Sequence, residues 1–391
     1  MKIKKVDIIV GIPSYNEADN ISFVVEQASK GLTKYFPSLR KVIVNVDNNS
    51  EDGTKDAFLN SKSEVPLKYI STPPGVTGKG NNFRNLFKYM LESNAKSTIV
   101  VDADLKSISS EWIQKLGSPI IKGYDYVVPI YTRHKYDGTI TNNICYPLLY
   151  GLIGKNIRQP IAGDFAFSNR LCKYYLTKKW NNTTYHFGID NFMTLNAIFG
   201  GFKIIQTGLG SKVHKPSAPK LSKMFTEVVY TLFSTILNNK KKWENVKQLD
   251  NLGLTGKEHL SKGQSLKVDD ILIKRRALLE YQKHHKSIKH FLSTEVFSEV
   301  DREFSKSKMN IGPELWAKIV YDLLYRFNSN HNRLEIIKSM KSLYFGRVYS
   351  FIQLTKDWSN SKAEEDFRKQ AEIFRDLKPY LLQKFKNKKK C

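Results

Sequence analysis

The 391-residue sequence predicts an α/β domain with a largely parallel sheet over residues 1–216, followed by a mainly helical domain over 217–391. Two patterns carry this. Up to residue 216, short β-branched runs alternate with amphipathic stretches, as strands and crossover helices do. After His214, apolar residues recur at three- and four-residue spacing, the helical period. Length agrees, because single cores stop growing near about 250–300 residues.

Val6 to Ile12 reads as a first buried strand and Ile21 to Leu32 as the helix after it. Lys41 to Val46, Leu67 to Ser71 and Ser97 to Val101 read as further strands, with a helix over Asn82 to Leu91 between the last two. Tyr126 to Tyr131 and Phe202 to Thr207 add two more. In the second region Phe225 to Leu237, Leu315 to Phe327 and Phe367 to Leu382 have helical spacing. Asp250 to Val268, rich in Gly, Ser and Lys and without apolar periodicity, is expected to be a mobile loop.

Composition narrows the function classes. Five Trp, 20 Tyr and 22 Phe exclude wholesale disorder, and 22 Gly with 13 Pro exclude a collagen-like chain. Cys145, Cys172 and Cys391 form no C-x-x-C pair, so neither a disulfide framework nor a thiolate zinc site is expected, and a reducing, cytoplasmic setting fits. The opening Met1 to Lys5 is basic, but Asp7 and Pro13 leave only Ile8 to Ile12 apolar, too short for an export signal. No run approaches the roughly 18 apolar residues of a spanning helix. A formal charge of +26 is spread over both halves, which fits a general lysine-rich habit better than a dedicated nucleic-acid face. Lys384 to Lys390 is the one true run and reads as a frayed terminus.

In open α/β sheets ligands sit beyond the carboxyl ends of the strands. Three such loops carry polar groups: Pro13-Ser14-Tyr15-Asn16-Glu17, the acidic turn from Asp47 to Thr54, and Asp102-Ala103-Asp104. Each alone is ordinary turn chemistry. Together, at one sheet edge, two carboxylates two residues apart suit a hard cation, Mg²⁺ or Mn²⁺, that completes its shell with phosphate oxygens and water.

The motifs I-P-S-Y-N-E (Ile12 to Glu17), V-D-N-N-S-E-D-G-T (Val46 to Thr54), T-G-K-G-N (Thr77 to Asn81) and V-D-A-D (Val101 to Asp104) resemble the nucleotide-sugar half of GT-A-fold glycosyltransferases. Arg158 to Asp164, Phe187 to Asp190 and Lys212 to Pro216 are similar to a smaller retaining group, that of mannosylglycerate synthase and glucosyl-3-phosphoglycerate synthase, which make compatible solutes or their precursors. The resemblance spans about residues 6 to 216.

It implies a metal-dependent enzyme that moves glucose or mannose from a UDP- or GDP-linked donor to D-glycerate or a similar small acid. Pro13, Tyr15, Glu17 and Asp47 would line the nucleoside pocket, and Lys79 would meet the diphosphate. Asp104 and His214 would hold the metal, with Asp102 on the ribose or a metal-bound water. The metal would neutralise charge on the departing nucleotide. Gly163 and Asp164 would pass beside the donor sugar. Asp190 admits two roles, general base in inverting relatives or sugar ligand in retaining ones, and the resemblance favours retention. Arg133 and Thr141 would grip the acceptor carboxylate. Where the phosphoglycerate enzymes have G-R-V-T this chain has Gly138-Thr139-Ile140-Thr141, which favours glycerate over 3-phosphoglycerate, although His134 or Lys135 could substitute. The Pro13 to Glu17 stretch looks more like the glucosyl enzymes, so the donor stays open. The helical region would cover the acceptor side, and a homodimer is a family-level expectation.

Two other readings compete. The I-P-S-Y-N-E-A-D-N-I stretch also resembles dolichol-phosphate mannosyltransferases, in which case the sugar would go to a polyprenyl phosphate at a membrane and Met224 to Leu237, flanked by lysines, would lie on the anionic bilayer. A basic RNA-binding protein on a retired transferase fold would explain the charge, but no RNP-like or G-x-x-G clamp is present, and a retired site would not be expected to keep Lys79, Asp102, Asp104, Asp190 and His214 together.

Overall fold

In the computed structural model, residues 5–215, 221–256, 266, 268–329 and 332–387 are described. The chain forms two compact units: one spans 1–132, 158–219 and 252–264, the other 133–157, 220–251 and 265–391. The long helices after residue 220 fall in the second unit. In addition, residues 133–157 join the helical unit and a short strand after 252 joins the α/β unit.

The α/β unit is built on strands β1 (Ile8–Ser14), β2 (Lys41–Asp47), β3 (Leu67–Ser71), β4 (Ser97–Val100) and β5 (Tyr126–Thr132). With β6 (Lys155–Asn156) and β9 (Asp250–Asn251) pairing separately in the other unit, the remaining strands are β7 (Phe165–Ser168), β8 (Ile204–Ser211) and β10 (Leu254–Thr255). They form one sheet in the order β10-β8-β5-β7-β4-β1-β2-β3, parallel except that β7 runs against β4 and β5. β1, β4 and β5 are buried along their whole length, which is why they read as unbroken apolar runs. β7 was not legible: Phe-Ala-Phe-Ser is too short to show a period, and its reversed direction has no sequence mark.

Helices Ile21–Tyr35, Lys79–Glu92, Ser110–Ile121 and Ile189–Phe199 flank the sheet. The sequence set the start of the second at Asn82. It starts at Lys79 because Gly78, at φ 120°, turns the chain in: a Cβ there would lie 2.4 Å from the Tyr185 carbonyl oxygen.

The helical unit contains Leu221–Asn238, Asp270–Phe291, Thr294–Ser305, Pro313–Ser329, Arg333–Thr355, Asn360–Asp376 and Lys378–Asn387. The stretch read as one helix over Phe367 to Leu382 is two. Pro379 has no N–H to offer the Arg375 carbonyl, so the first helix closes at Leu377 and the second begins beside the proline. Residues 141–153 form a continuous helical run with wide π-type turns at Thr141–Cys145 and Leu149–Ile153. Pro147 cannot bond the Asn143 carbonyl, and Trp316 Nε1 donates to it instead at 2.7 Å.

Several basic side chains are structural parts of this unit. Lys378 Nζ donates to the carbonyls of Leu152, Trp243 and Val246 at 2.6–2.9 Å, and burial lowers its pKa to about 8. Lys135 Nζ donates to the carbonyls of Thr355, Lys356 and Trp358, closing the end of helix Arg333–Thr355 where the backbone has spare acceptors. Arg347, fully buried, forks onto Gln370 Oε1 and the Ile311 carbonyl.

The idea that Met224 to Leu237 lies on a bilayer is corrected here. Phe225, Val228, Val229, Leu232, Phe233 and Ile236 are all buried, so this helix spends its apolar face on the core of its own unit. Of the loop expected over Asp250 to Val268, the described part carries the two short strands β9 and β10, and 257–265 and 267 lie outside the described residues. So do Pro216, Cys391 and the last lysines, 388–390; the helix runs to Asn387 where a frayed end was expected. Cys145 and Cys172 are buried free thiols. Among the described residues no helix is long and apolar enough to cross a membrane. Phe233→Ala should cost about 3–5 kcal/mol by urea unfolding, because it empties a fully buried site; a loss under about 1 kcal/mol would show that the helix is not a core element.

Candidate functional site

Parallel strands bring their carboxyl ends to one edge, and there β1, β2, β4 and β8 deliver Ser14, Asp47, Asp102 with Asp104, and Lys212 with His214. The reversed β7 adds its beginning instead of its end. Val100 pairs with Phe165, so Asp164 stands beside Asp102, whose backbone N–H donates to Asp164 Oδ1 at 2.8 Å.

Two ammonium groups neutralise this acidic cluster. Lys79 Nζ, at the first turn of helix Lys79–Glu92, lies 3.0 Å from Asp102 Oδ1 and 3.6 Å from Asp190 Oδ1. Gly78 and Gly80 let it in: a Cβ on Gly80 would sit 1.9 Å from the Thr184 carbonyl oxygen, so only glycine permits the helix to approach the segment before Asp190. Lys212 Nζ lies 3.1 Å from Asp102 Oδ2 and 2.6 Å from Asp164 Oδ2 and donates to the Ala162 carbonyl at 2.8 Å. Tyr131 Oη also donates to Asp164 Oδ2. The register of β5 on β8 shifts between Ile130 and Tyr131. Such an irregularity re-aims side chains at a sheet rim.

Gly163, at φ 88°, closes over the same carboxylate: a Cβ there would lie 2.0 Å from Asp102 Oδ2. The glycine expected beside a donor sugar thus also packs directly on Asp102.

The two carboxylates of the D-x-D differ in state. Burial raises the pKa of Asp102, but Lys79 and Lys212 outweigh it and hold the group well below the usual carboxylate range. Asp104 goes the other way. Burial and then the charge of Asp102 push it up, with Lys212 and His214 offsetting part of the rise. Asp190 is likewise raised, by burial first, against the pull of Lys79. Its Oδ1 is buried without a hydrogen-bond partner among the described residues.

Asn20 was missed by the sequence reading. Its Nδ2 donates to the carbonyls of Ala103 and Leu105 at 2.8 and 3.0 Å, fixing the backbone on both sides of Asp104. Lys106 N–H donates to the Val213 carbonyl and Val213 N–H to Ser107 Oγ, which holds the His214 segment against the same loop. His214 Nδ1 lies 2.7 Å from the Lys215 carbonyl oxygen. Among the described residues no three Asp, Glu, His or Cys side chains gather as a ready metal-ligand set. The donors present are nonetheless of the right kind: a half-buried carboxylate whose charged form burial and Asp102 disfavour, with an imidazole in electrostatic range. Asp102, by contrast, has both oxygens committed to lysines.

Of the residues expected around a nucleoside, Tyr15 is half exposed at the rim and Pro13 lies inside β1. Glu17 Oε2 is 2.7 Å from Lys215 Nζ, which also pairs with Asp19. Asp47 accepts from Ser14 Oγ, Ser50 N–H, Ser50 Oγ and Tyr69 Oη, so its acceptor positions are filled and it orders the loop. In the helical unit, Arg133 pairs with Asp137 at 3.2 Å. A Cβ on Gly138 would sit 3.8 Å from Arg133 Nη1 and 3.9 Å from Thr141 Cβ, so the two expected acceptor groups share one turn. Lys212 and Tyr131 were missed as well. Lys212 lies in the K-V-H-K-P segment two residues before His214, and nothing local in the sequence marks its charge as buried.

Residues 9–180 match the family model described as Glycosyl transferase family 2. That segment, somewhat under half of the chain, is a glycosyl transferase family 2 domain.

Similar solved structures include glucosyl-3-phosphoglycerate synthase from Mycobacterium tuberculosis in complex with Mn²⁺, uridine diphosphate and glucosyl-3-phosphoglycerate, 22% identical, covering 59% of this chain and 80% of that one, TM-score 0.47. The same enzyme with Mg²⁺ and uridine diphosphate gives 22%, 59%, 79% and 0.46. A further crystal structure, of a mycobacterial protein, gives 23%, 59%, 74% and 0.47. Among curated proteins no relative matches.

Lys212→Met should destabilise the protein by about 3–5 kcal/mol, since it strands the fully buried Asp164 charge; Lys212→Met with Asp164→Asn should recover most of this in urea titrations. Asp104→Asn, measured in chelator, should raise Tm at pH 7, because burial and the charge of Asp102 disfavour the ionised form of Asp104 in the folded protein. The raised folded pKa means the wild-type loses stability as pH climbs through it, so the advantage of the variant should vanish below the ordinary value of 3.8, where both states hold the proton.

Proposed function

We propose that the protein transfers a hexose, glucose or mannose, from a UDP- or GDP-linked donor to the hydroxyl of D-glycerate or a similar small acid, with retention at the anomeric carbon. The observation that carries the reading is the pair of lysines on the acidic edge. Lys79, inside the segment that matches the glycosyl transferase family 2 model, and Lys212, beyond its end, each bond one oxygen of Asp102, and Lys79 is the cation suited to an anionic leaving group.

Lys79 would turn from Asp102 toward the diphosphate and hold its charge. A divalent ion, Mg²⁺ or Mn²⁺, bound at Asp104 and His214 would act as a Lewis acid toward the nucleotide that leaves. Asp102 keeps Lys212 and orders the site, and Asp104 would be the carboxylate for the ion. Gly163 and Asp164 form the wall of the sugar site, fixed by Lys212 and Tyr131. Asp190, raised in pKa and with an oxygen free of hydrogen bonds among the described residues, would accept one from a donor-sugar hydroxyl. Arg133 would exchange Asp137 for the acceptor carboxylate beside Thr141.

A matrix assay tests this: UDP- and GDP-linked glucose and mannose against glycerate, 3-phosphoglycerate and polyprenyl phosphate, with and without metal, followed by anomer analysis of the product. Turnover with glycerate and a retained anomer is expected. Turnover with polyprenyl phosphate alone, or an inverted product, would overturn the acceptor or the stereochemistry respectively. Asp104→Ala and His214→Ala should each abolish metal-dependent turnover with unchanged circular dichroism; an unchanged rate in either removes that residue from the site.

A further inference from the structure

Helix Asp270–Phe291 has two faces of unlike chemistry. Ala277, Tyr281, His284, Ile288 and Phe291 are buried at helical spacing. On the reverse face Ile271, Leu272 and Leu279 are 77%, 61% and 58% exposed. Arg275, Lys283, Lys286 and Lys289 are exposed among them. At roughly 100° per residue these seven side chains occupy one sector of about 120°. Neither carboxylate within the helix is exposed: Asp270 bonds Gln353 and pairs with Lys356, and Glu280 lies on the other side.

Water-facing leucines and isoleucines interleaved with cations and no anions are the chemistry of an interfacial helix, in which the apolar groups enter the acyl boundary while the basic groups meet phosphate headgroups. We propose that this face docks the protein on an anionic lipid bilayer. Single-stranded nucleic acid fits less well, because the sector offers no aromatic ring for a base to stack on. A second copy fits less well too, because a two-fold contact would set four cations against four cations. The inference is independent of the sugar acceptor, and its test needs no turnover.

Full-length protein is sedimented with vesicles of phosphatidylcholine alone and with about 30% phosphatidylglycerol, over a range of salt. Binding to the anionic vesicles only, weakened by salt, is expected. The triple variant R275E/K283E/K286E should lower the partition coefficient at least about tenfold. The control K62E/K68E/K122E, which removes the same charge from exposed lysines elsewhere, should stay within about twofold of wild type. Leu279→Trp should show a blue-shifted emission on anionic vesicles, the signature of insertion. Equal losses from both triple variants, or no emission shift, would overturn the proposal. So would a concentration-dependent dimer dissociated by L272S/L279S, or binding to single-stranded RNA but not to vesicles. Unchanged melting curves confirm that each variant is folded.

Discussion

Three carboxylates, Asp102, Asp164 and Asp190, meet at one sheet edge with two ammonium groups among the described residues, Lys79 and Lys212, set between them. Buried charge of one sign cannot persist uncompensated. Lys212 therefore does more than pair: three acceptors from two strand ends and the 162–164 loop converge on its three donors, which fixes where Gly163 and Asp164 lie. The reversed strand β7 makes this convergence attainable, because only a strand running the other way can offer its first residue to that edge.

That compensation is unequal, and the inequality is chemically useful. Asp102, two residues from Asp104, is held ionised by both lysines, while Asp104 bears burial and the repulsion of its neighbour. Environments that push like groups apart assign them different tasks. Here one carboxylate is tied into the scaffold by two lysines, while the other carries the repulsion, with Asn20 pinning the backbone on either side of it.

The surplus of basic residues divides into separate populations. Lys135, Lys378 and Arg347 are consumed inside the helical unit, where backbone carbonyls left over at helix ends and around a proline take their donors. Lys79, Lys212 and Lys215 serve the acidic edge. Arg275, Lys283, Lys286 and Lys289 are exposed on one face of one helix, the last with its ammonium over the Phe297 ring. A net charge of +26 therefore does not describe a uniform polyanion-binding surface.

The sequence by itself determined the alternation of strands and helices, the switch to helical character and the loops that end at the active edge, because apolar periodicity and turn residues are local properties. It also supplied the motifs that mark a glycosyltransferase, Lys79 and the D-x-D among them. Only the tertiary structure decided which aspartate is neutralised, since that depends on Lys212, 110 residues away in sequence from Asp102. The same holds for the burial of Leu221–Asn238 and the exposure of part of Asp270–Phe291: both helices carry apolar residues at suitable spacing, and which face meets protein is settled by packing, not by period.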